Sequence, residues 1–371
     1  MEVCIIGWYG TETIGDRAIL DGIINIYYSM GSILHVHLGS LYPFFTERTL
    51  YEDSYKTIYS GINIDTFDIY DDKKTKHIVN CSDHVIMGGG PLMDLDEMYL
   101  LLRTFEYAKK IHKTTCLVGC GYGPLRKTEY IRVADELIKC SDIVIFRDSE
   151  SISEYQKNGK ESVKCKFLED PAIISALKYK EKFENKETKG TAVVNFRDYP
   201  SDYYGEGSFG IDKAIRVIND LLNQTDYDIT LMPMHTFFIG GDDRVFLNEV
   251  LNATDSNRVQ TPSRPLSLFE TYSLISNASI CVGMRYHSVV LQTILNGNNY
   301  IINYTKKNTG KISAFVKSID NSDFYYNRIY HINDKINYPF FSFTDETFIH
   351  SWISSDSIVK KYRKELGIKD E

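Results

Sequence analysis

Short apolar runs rich in valine and isoleucine recur along the chain, separated by longer stretches in which apolar positions return every three or four residues. The first texture suits a strand buried on both faces and the second a helix lying against it. Their alternation predicts parallel sheets with crossover helices. In the first half, strands are predicted at 3–7, 34–38, 84–87, 115–119, 143–146 and 163–168, with helices at 16–30, 95–112, 129–140 and 149–158. Residues 41–80, rich in tyrosine, aspartate and lysine, show neither period clearly. The charged run 178–190 reads as a linker, after which the pattern restarts. Strands follow at 191–195, 227–232, 258–261, 278–283 and 300–304, helices at 211–223, 243–251, 266–275, 284–296 and 311–319, and one or two more helices within 345–366.

This pattern divides the chain into an N-terminal lobe at 1–178, a linker at 179–190, a C-terminal lobe at 191–345 and closing helices at 346–371, which are expected to pack back on the first lobe. Two α/β units of similar size predict a cleft between them, with ligands held beyond the carboxyl ends of the strands. A length of 371 residues agrees with two domains. The net charge of -8 argues against a nucleic-acid partner.

Seven cysteines, scattered and mostly inside apolar runs, read as buried free thiols of a reducing compartment. Neither C-x-x-C nor H-E-x-x-H occurs, so no metal site is expected. No targeting segment or apolar stretch of membrane-spanning length is evident, which predicts a cytoplasmic protein. The basic stretch 359–364 suits solvated surface, with peripheral contact at the inner face of a membrane as the alternative, and a homo-oligomer stays open.

Candidate chemistry gathers where strands are predicted to end. G-W-Y-G-T-E-T-I-G-D has the glycine spacing of a phosphate loop, but Asp16 stands where that motif carries lysine. Gly88, Gly89 and Gly90 close one strand, and Gly121, Tyr122 and Gly123 lie just past another. Such glycines let backbone N–H groups approach an anion, or simply make a tight turn. Arg147 and the pair Arg285 and His287 also follow strands. Arginine forks suit carboxylate or phosphate and histidine can move a proton, while the bland alternatives are a salt bridge for Arg147 and a capping role for His287. His235 sits in P-M-H with Asp242 and Asp243 beyond it, and Glu169 and Asp170 precede a proline. His35 and His37 share one face of a strand without an evident metal partner and read as packing residues.

Taken in order, G-W-Y-G-T-E-T-I-G-D-R-A-I-L, M-G-G-G-P-L-M-D, G-C-G-Y-G-P-L, F-R-D-S-E-S, E-D-P-A, P-M-H and G-M-R-Y-H-S resemble the motifs of the polysaccharide pyruvyl transferase family, from about Val3 to Lys307. The resemblance implies two Rossmann-like lobes in a glycosyltransferase-B-like arrangement. It also implies transfer of the pyruvyl group of phosphoenolpyruvate to a sugar as a cyclic ketal. Matched motif by motif, Asp16, Arg147 and His287 fall on catalytic positions and Arg285 on a phosphoenolpyruvate contact. Gly88, Gly89, Gly90, Gly121, Tyr122, Gly123, His235 and Lys307 are candidates for holding substrate.

In this scheme His287 protonates the methylene carbon, Asp16 is the base for the sugar hydroxyl, and phosphoenolpyruvate is a co-substrate, with no cofactor or metal. The acceptor is a saccharide of a cell-surface polymer such as capsule, exopolysaccharide or cell wall, or its lipid-linked precursor. Three positions depart from the family pattern: Thr13 replaces the usual asparagine, Arg17 a frequent acid, and Tyr286 the Leu or Phe of G-M-R-[LF]-H. The alternatives are a sugar-nucleotide-dependent glycosyltransferase of the same fold and a non-catalytic saccharide binder.

Overall fold

The computed structural model describes residues 1–28, 34–54, 62–157, 163–183, 190–200, 207–237, 241–334, 341–348 and 354–368. The chain falls into two compact units, one formed by Met1–Ser175 with Ile353–Glu371 and the other by Ala176–Trp352.

The first unit is built on an eight-stranded sheet: β1 (Glu2–Ile6), β2 (His35–Ser40), β3 (Asn63–Asp68), β4 (His84–Gly88), β5 (Pro91–Leu92), β6 (Thr114–Tyr122), β7 (Ile143–Phe146) and β8 (Cys165–Phe167). Their order is β3-β2-β1-β4-β6-β7-β8, with β5 paired to β6, and every pairing is parallel. Val3 to Ile6 are fully buried, as the apolar run requires of a strand covered on both faces. The order reverses between β1 and β4, and that switch point is where an open parallel sheet leaves a crevice at its carboxyl end.

The second unit repeats the plan with six strands: β9 (Thr191–Val194), β10 (Asp228–Leu231), β11 (Val259–Gln260), β12 (Ile280–Gly283), β13 (Asn299–Asn303) and β14 (Ile329–His331). These lie in the order β11-β10-β9-β12-β13-β14, all parallel. Its switch point is between β9 and β12.

The ambiguous stretch 41–80 contains the helix Pro43–Ser54, strand β3 and the helix Asp72–Cys81. The last begins at Asp71, whose carboxylate accepts from the Lys74 N–H. The linker expected at 179–190 starts inside a helix, Pro171–Lys182. Its charged residues conceal an anchored face: Tyr179 packs edge-on against Phe269 and Tyr272, and the Lys180 ammonium donates to the Ile294 carbonyl. The division between the units falls within this helix rather than beyond it, and residues 184–189 of the expected linker lie outside the described residues.

The helix Ser355–Leu366 packs on the helix Ile14–Tyr27 in the first unit. Its basic stretch is partly committed internally: Lys361 pairs with Glu169 at 2.5 Å, and the Arg363 guanidinium donates to the carbonyls of Ile26 and Tyr28. All seven cysteines are free thiols: Cys4, Cys116, Cys120 and Cys281 are buried, Cys140 and Cys165 half-buried, and Cys81 exposed. No described helix is long and apolar enough to cross a membrane.

Candidate active site

In the first unit the loop after β1 turns into the helix Ile14–Tyr27, whose first turn carries Asp16. Asp16 is buried, and its carboxylate accepts hydrogen bonds from the Thr13 hydroxyl and the Gly90 N–H. Burial raises this carboxyl to about 7, although Arg147 and the two hydrogen bonds pull the other way. A carboxylate poised there suits a general base at neutral pH.

Gly89 and Gly90 have φ of 91° and 61°, a region open to glycine. A Cβ on Gly90 would lie 2.1 Å from Cδ1 of Trp8. Tyr9 is the residue the motif reading passed over. Its ring is buried with the hydroxyl unpartnered, and that hydroxyl lies 3.1 Å and 3.5 Å from where Cβ atoms on Gly88 and Gly89 would stand. Burial, then Asp16 and Cys120, push the phenol well above its ordinary range, so it stays protonated as a donor. Trp8, Tyr9, Glu12, Thr13, Asp16 and Arg17 line one recess.

Arg147 follows β7 and is held at 3.4 Å by Asp170, with both side chains almost fully buried. Asp170 also accepts from the Ala172 N–H at 2.9 Å, so it serves the start of the helix Pro171–Lys182 as well as the arginine. Asp148, the nearest acid in sequence, caps the helix Ser149–Gln156 instead.

The glycine clusters differ from expectation. Neither leads directly into a helix: Gly89 and Gly90 are followed by β5, and residues 119–122 continue β6 past an irregularity at Gly119, whose φ is 67°. Gly121 N–H donates to the Gly90 carbonyl, Tyr122 N–H to Ser151 Oγ and Gly123 N–H to the Leu92 carbonyl. Pairing with β5 therefore consumes donors that the sequence reading offered to an anion. Gly121 instead makes room for Arg147, whose terminal nitrogen would lie 3.4 Å from a Cβ there.

In the second unit Arg285 stands just past β12, at the residue before the helix Tyr286–Leu295. Its backbone N–H donates to Asn195 Oδ1 at 3.0 Å across the switch point. Its Nε lies 2.7 Å and 2.9 Å from the carboxylate oxygens of Asp243. Asp243 also accepts from the N–H groups of Met234 and His235, both at 3.0 Å. One buried carboxylate thus ties the P-M-H loop to the arginine. Tyr286 meets His287 edge-on with ring centroids 5.0 Å apart.

Lys307 pairs with Asp334 and is well exposed. His35 and His37 are not simple packing residues. Parallel register sets Asp65 of β3 beside them, 2.6 Å from His35 Nε2 and 3.6 Å from His37 Nδ1. This cluster lies in the amino-terminal halves of β2 and β3, at the opposite end of the sheet from Asp16.

A sequence profile of the polysaccharide pyruvyl transferase family matches residues 14–306. No protein of curated function matches significantly. Among solved structures, UDP-GlcNAc 2-epimerase from Methanocaldococcus jannaschii is similar at 13% identity and a TM-score of 0.59, over 98% of this chain and 100% of that one. UDP-GlcNAc 2-epimerase from Neisseria meningitidis bound to UDP-GlcNAc is similar at 11% identity and a TM-score of 0.55, over 100% of both chains. At such identities the likeness concerns the fold alone, which is the glycosyltransferase-B class expected from the sequence. With the family's profile spanning most of its length, the chain belongs to the polysaccharide pyruvyl transferase family.

Proposed function

We propose that this transferase moves the pyruvyl group of phosphoenolpyruvate onto two hydroxyls of one sugar, forming a cyclic ketal and releasing phosphate. The observation that carries the reading is the state of the four matched residues. Asp16 is a buried carboxylate tuned near neutrality, Arg147 and Arg285 are each locked by a buried carboxylate, and His287 follows Arg285 by two residues, in the first turn of the helix.

In the proposed reaction His287 donates a proton to the methylene carbon of phosphoenolpyruvate while Arg285 binds its carboxylate or phosphate. The adjacent carbon gains oxocarbenium character and a sugar oxygen attacks it as Asp16 takes the hydroxyl proton. Phosphate then leaves with its bonding electrons, and the second hydroxyl closes the ring, its proton passing to phosphate. The scheme requires no cofactor. Its acceptor is a saccharide, whether free, polymeric or lipid-linked.

The test measures inorganic phosphate released from phosphoenolpyruvate against a panel of simple and lipid-linked glycosides. Acceptor-dependent release that His287→Gln abolishes, with the melting temperature nearly unchanged, is the expected result. Consumption of a sugar nucleotide, with no phosphate release under any acceptor, would replace this reading with glycosyl transfer.

A further inference from the structure

Phosphoenolpyruvate carries both a carboxylate and a phosphate, yet the charge of Arg285 is already balanced by Asp243. A pocket that gathers such an anion needs positive charge beyond that pair. Two cations in the second unit meet the need. Arg197 follows β9 and Lys311 opens the helix Lys311–Ile319 that follows β13. Neither pairs with a carboxylate among the described residues, although both are partly withdrawn from solvent.

The two converge on Tyr304, one residue past β13. The guanidinium carbon of Arg197 and the ammonium of Lys311 each lie 5.7 Å from its ring centroid. Arg197 also stands 5.9 Å from the Tyr199 ring and Lys311 5.8 Å from the Tyr286 ring. Tyr199 and Tyr304 pack at 5.0 Å, so the aromatic floor beneath the cations is continuous. Arg197 is held against the Tyr199 and Tyr304 rings, and Lys311 hydrogen-bonds the Tyr304 side chain, so both charges are positioned without an acidic partner among the described residues. The Arg197 Nε is buried without a hydrogen-bond acceptor, an arrangement that costs stability unless an acceptor arrives. Burial alone would raise the Tyr304 phenol, but Lys311, Arg197 and Arg285 together bring it down to about 8, so all three cations act on one point.

We infer that Arg197 and Lys311, held on Tyr304 beside Arg285, form an anion-binding subsite that takes the phosphate or carboxylate of the donor substrate. The proposed function supplies only the identity of that anion; the site itself is argued from the cations. These residues lie past β9, β12 and β13, three neighbouring strands that include both sides of the switch point. None of the three new residues was singled out by the motifs.

Calorimetric titration of the full chain with phosphoenolpyruvate, inorganic phosphate and UDP separately, in low salt, tests the subsite. Arg197→Gln and Lys311→Met are each expected to weaken phosphoenolpyruvate binding by about tenfold or more, the effect of losing one charge-assisted contact. Lys317→Met, on the exposed face of the same helix, removes an equal charge and is expected to bind as the wild type does. Arg197→Lys keeps the charge without the planar fork and is expected to fall between, which preserves the test where the glutamine variant folds poorly. Unchanged phosphoenolpyruvate binding in Arg197→Gln and Lys311→Met would overturn the subsite and leave pyruvyl transfer standing. Binding of UDP but not phosphoenolpyruvate, lost in both variants, would keep the subsite and overturn the donor.

Discussion

In the proposed reaction Asp16 joins chemistry and stability in one side chain. Its folded-state carboxyl titrates at about 7, against roughly 3.9 in an unfolded chain. Between these values the folded state keeps a proton that the unfolded state has released. The group's contribution to stability is therefore fully present below about pH 4 and is lost as pH rises through 7. Two outcomes follow. The pyruvyl transfer rate, as kcat/KM, should climb through pH ~7 as the base ionises, with Asp16→Asn inactive at every pH. The same variant should be more stable than the wild type at pH 8, by on the order of 4 kcal/mol, and close to it at pH 4. A flat pH-rate profile, or turnover by Asp16→Asn, would remove Asp16 from the role of base.

At the scale of elements, legibility followed whether a residue's signal was local. Asp16, Arg147, Arg285 and His287 stand in short motifs after strands whose apolar runs are plain, and the order of those motifs along the chain was enough to point to the family. Asp243 was visible only as an acid beyond P-M-H; its hold on Arg285 depends on β9 lying between β10 and β12, a neighbourhood no spacing encodes. The same parallel register brings Asp65 to His35 and His37 across β2 and β3, and pairs β5 with β6 so that the Gly121 and Gly123 N–H groups are used up. Arg197 did have a local signal, an arginine just past a predicted strand, equal to that of Arg147.

The Asp243 link is testable as a positioning device. Asp243→Asn keeps an oxygen for the Met234 and His235 N–H groups but turns a donor toward Arg285. Binding of phosphoenolpyruvate should weaken, raising KM by about tenfold with a smaller change in kcat, and stability should fall by roughly 1–2 kcal/mol. An equal fall in kcat and kcat/KM, with KM unchanged, would mean that Arg285 acts in the transition state without help from Asp243.

At the scale of the whole molecule, the chain leaves the first unit within the helix Pro171–Lys182, builds the second and returns to the first. That return makes residues far apart in sequence part of one cooperative core. Tyr362 is fully buried, with its hydroxyl donating to the Glu169 carbonyl at 2.8 Å, while Ile358 and Leu366 are buried on the same helix. Because Glu169 adjoins Asp170, the partner of Arg147, this helix also steadies the acid that holds the arginine. Tyr362→Ala should cost about 3–5 kcal/mol, the usual penalty for emptying a large aromatic site. In hydrogen exchange the lost protection should fall on the first unit, including the helices Ile14–Tyr27 and Ser355–Leu366, while strands β9, β10, β12 and β13 keep theirs. Phosphoenolpyruvate binding, proposed for the second unit, should then survive under conditions where transfer is lost. Uniform loss of protection in both units would instead make the chain one cooperative body, and binding would disappear together with transfer.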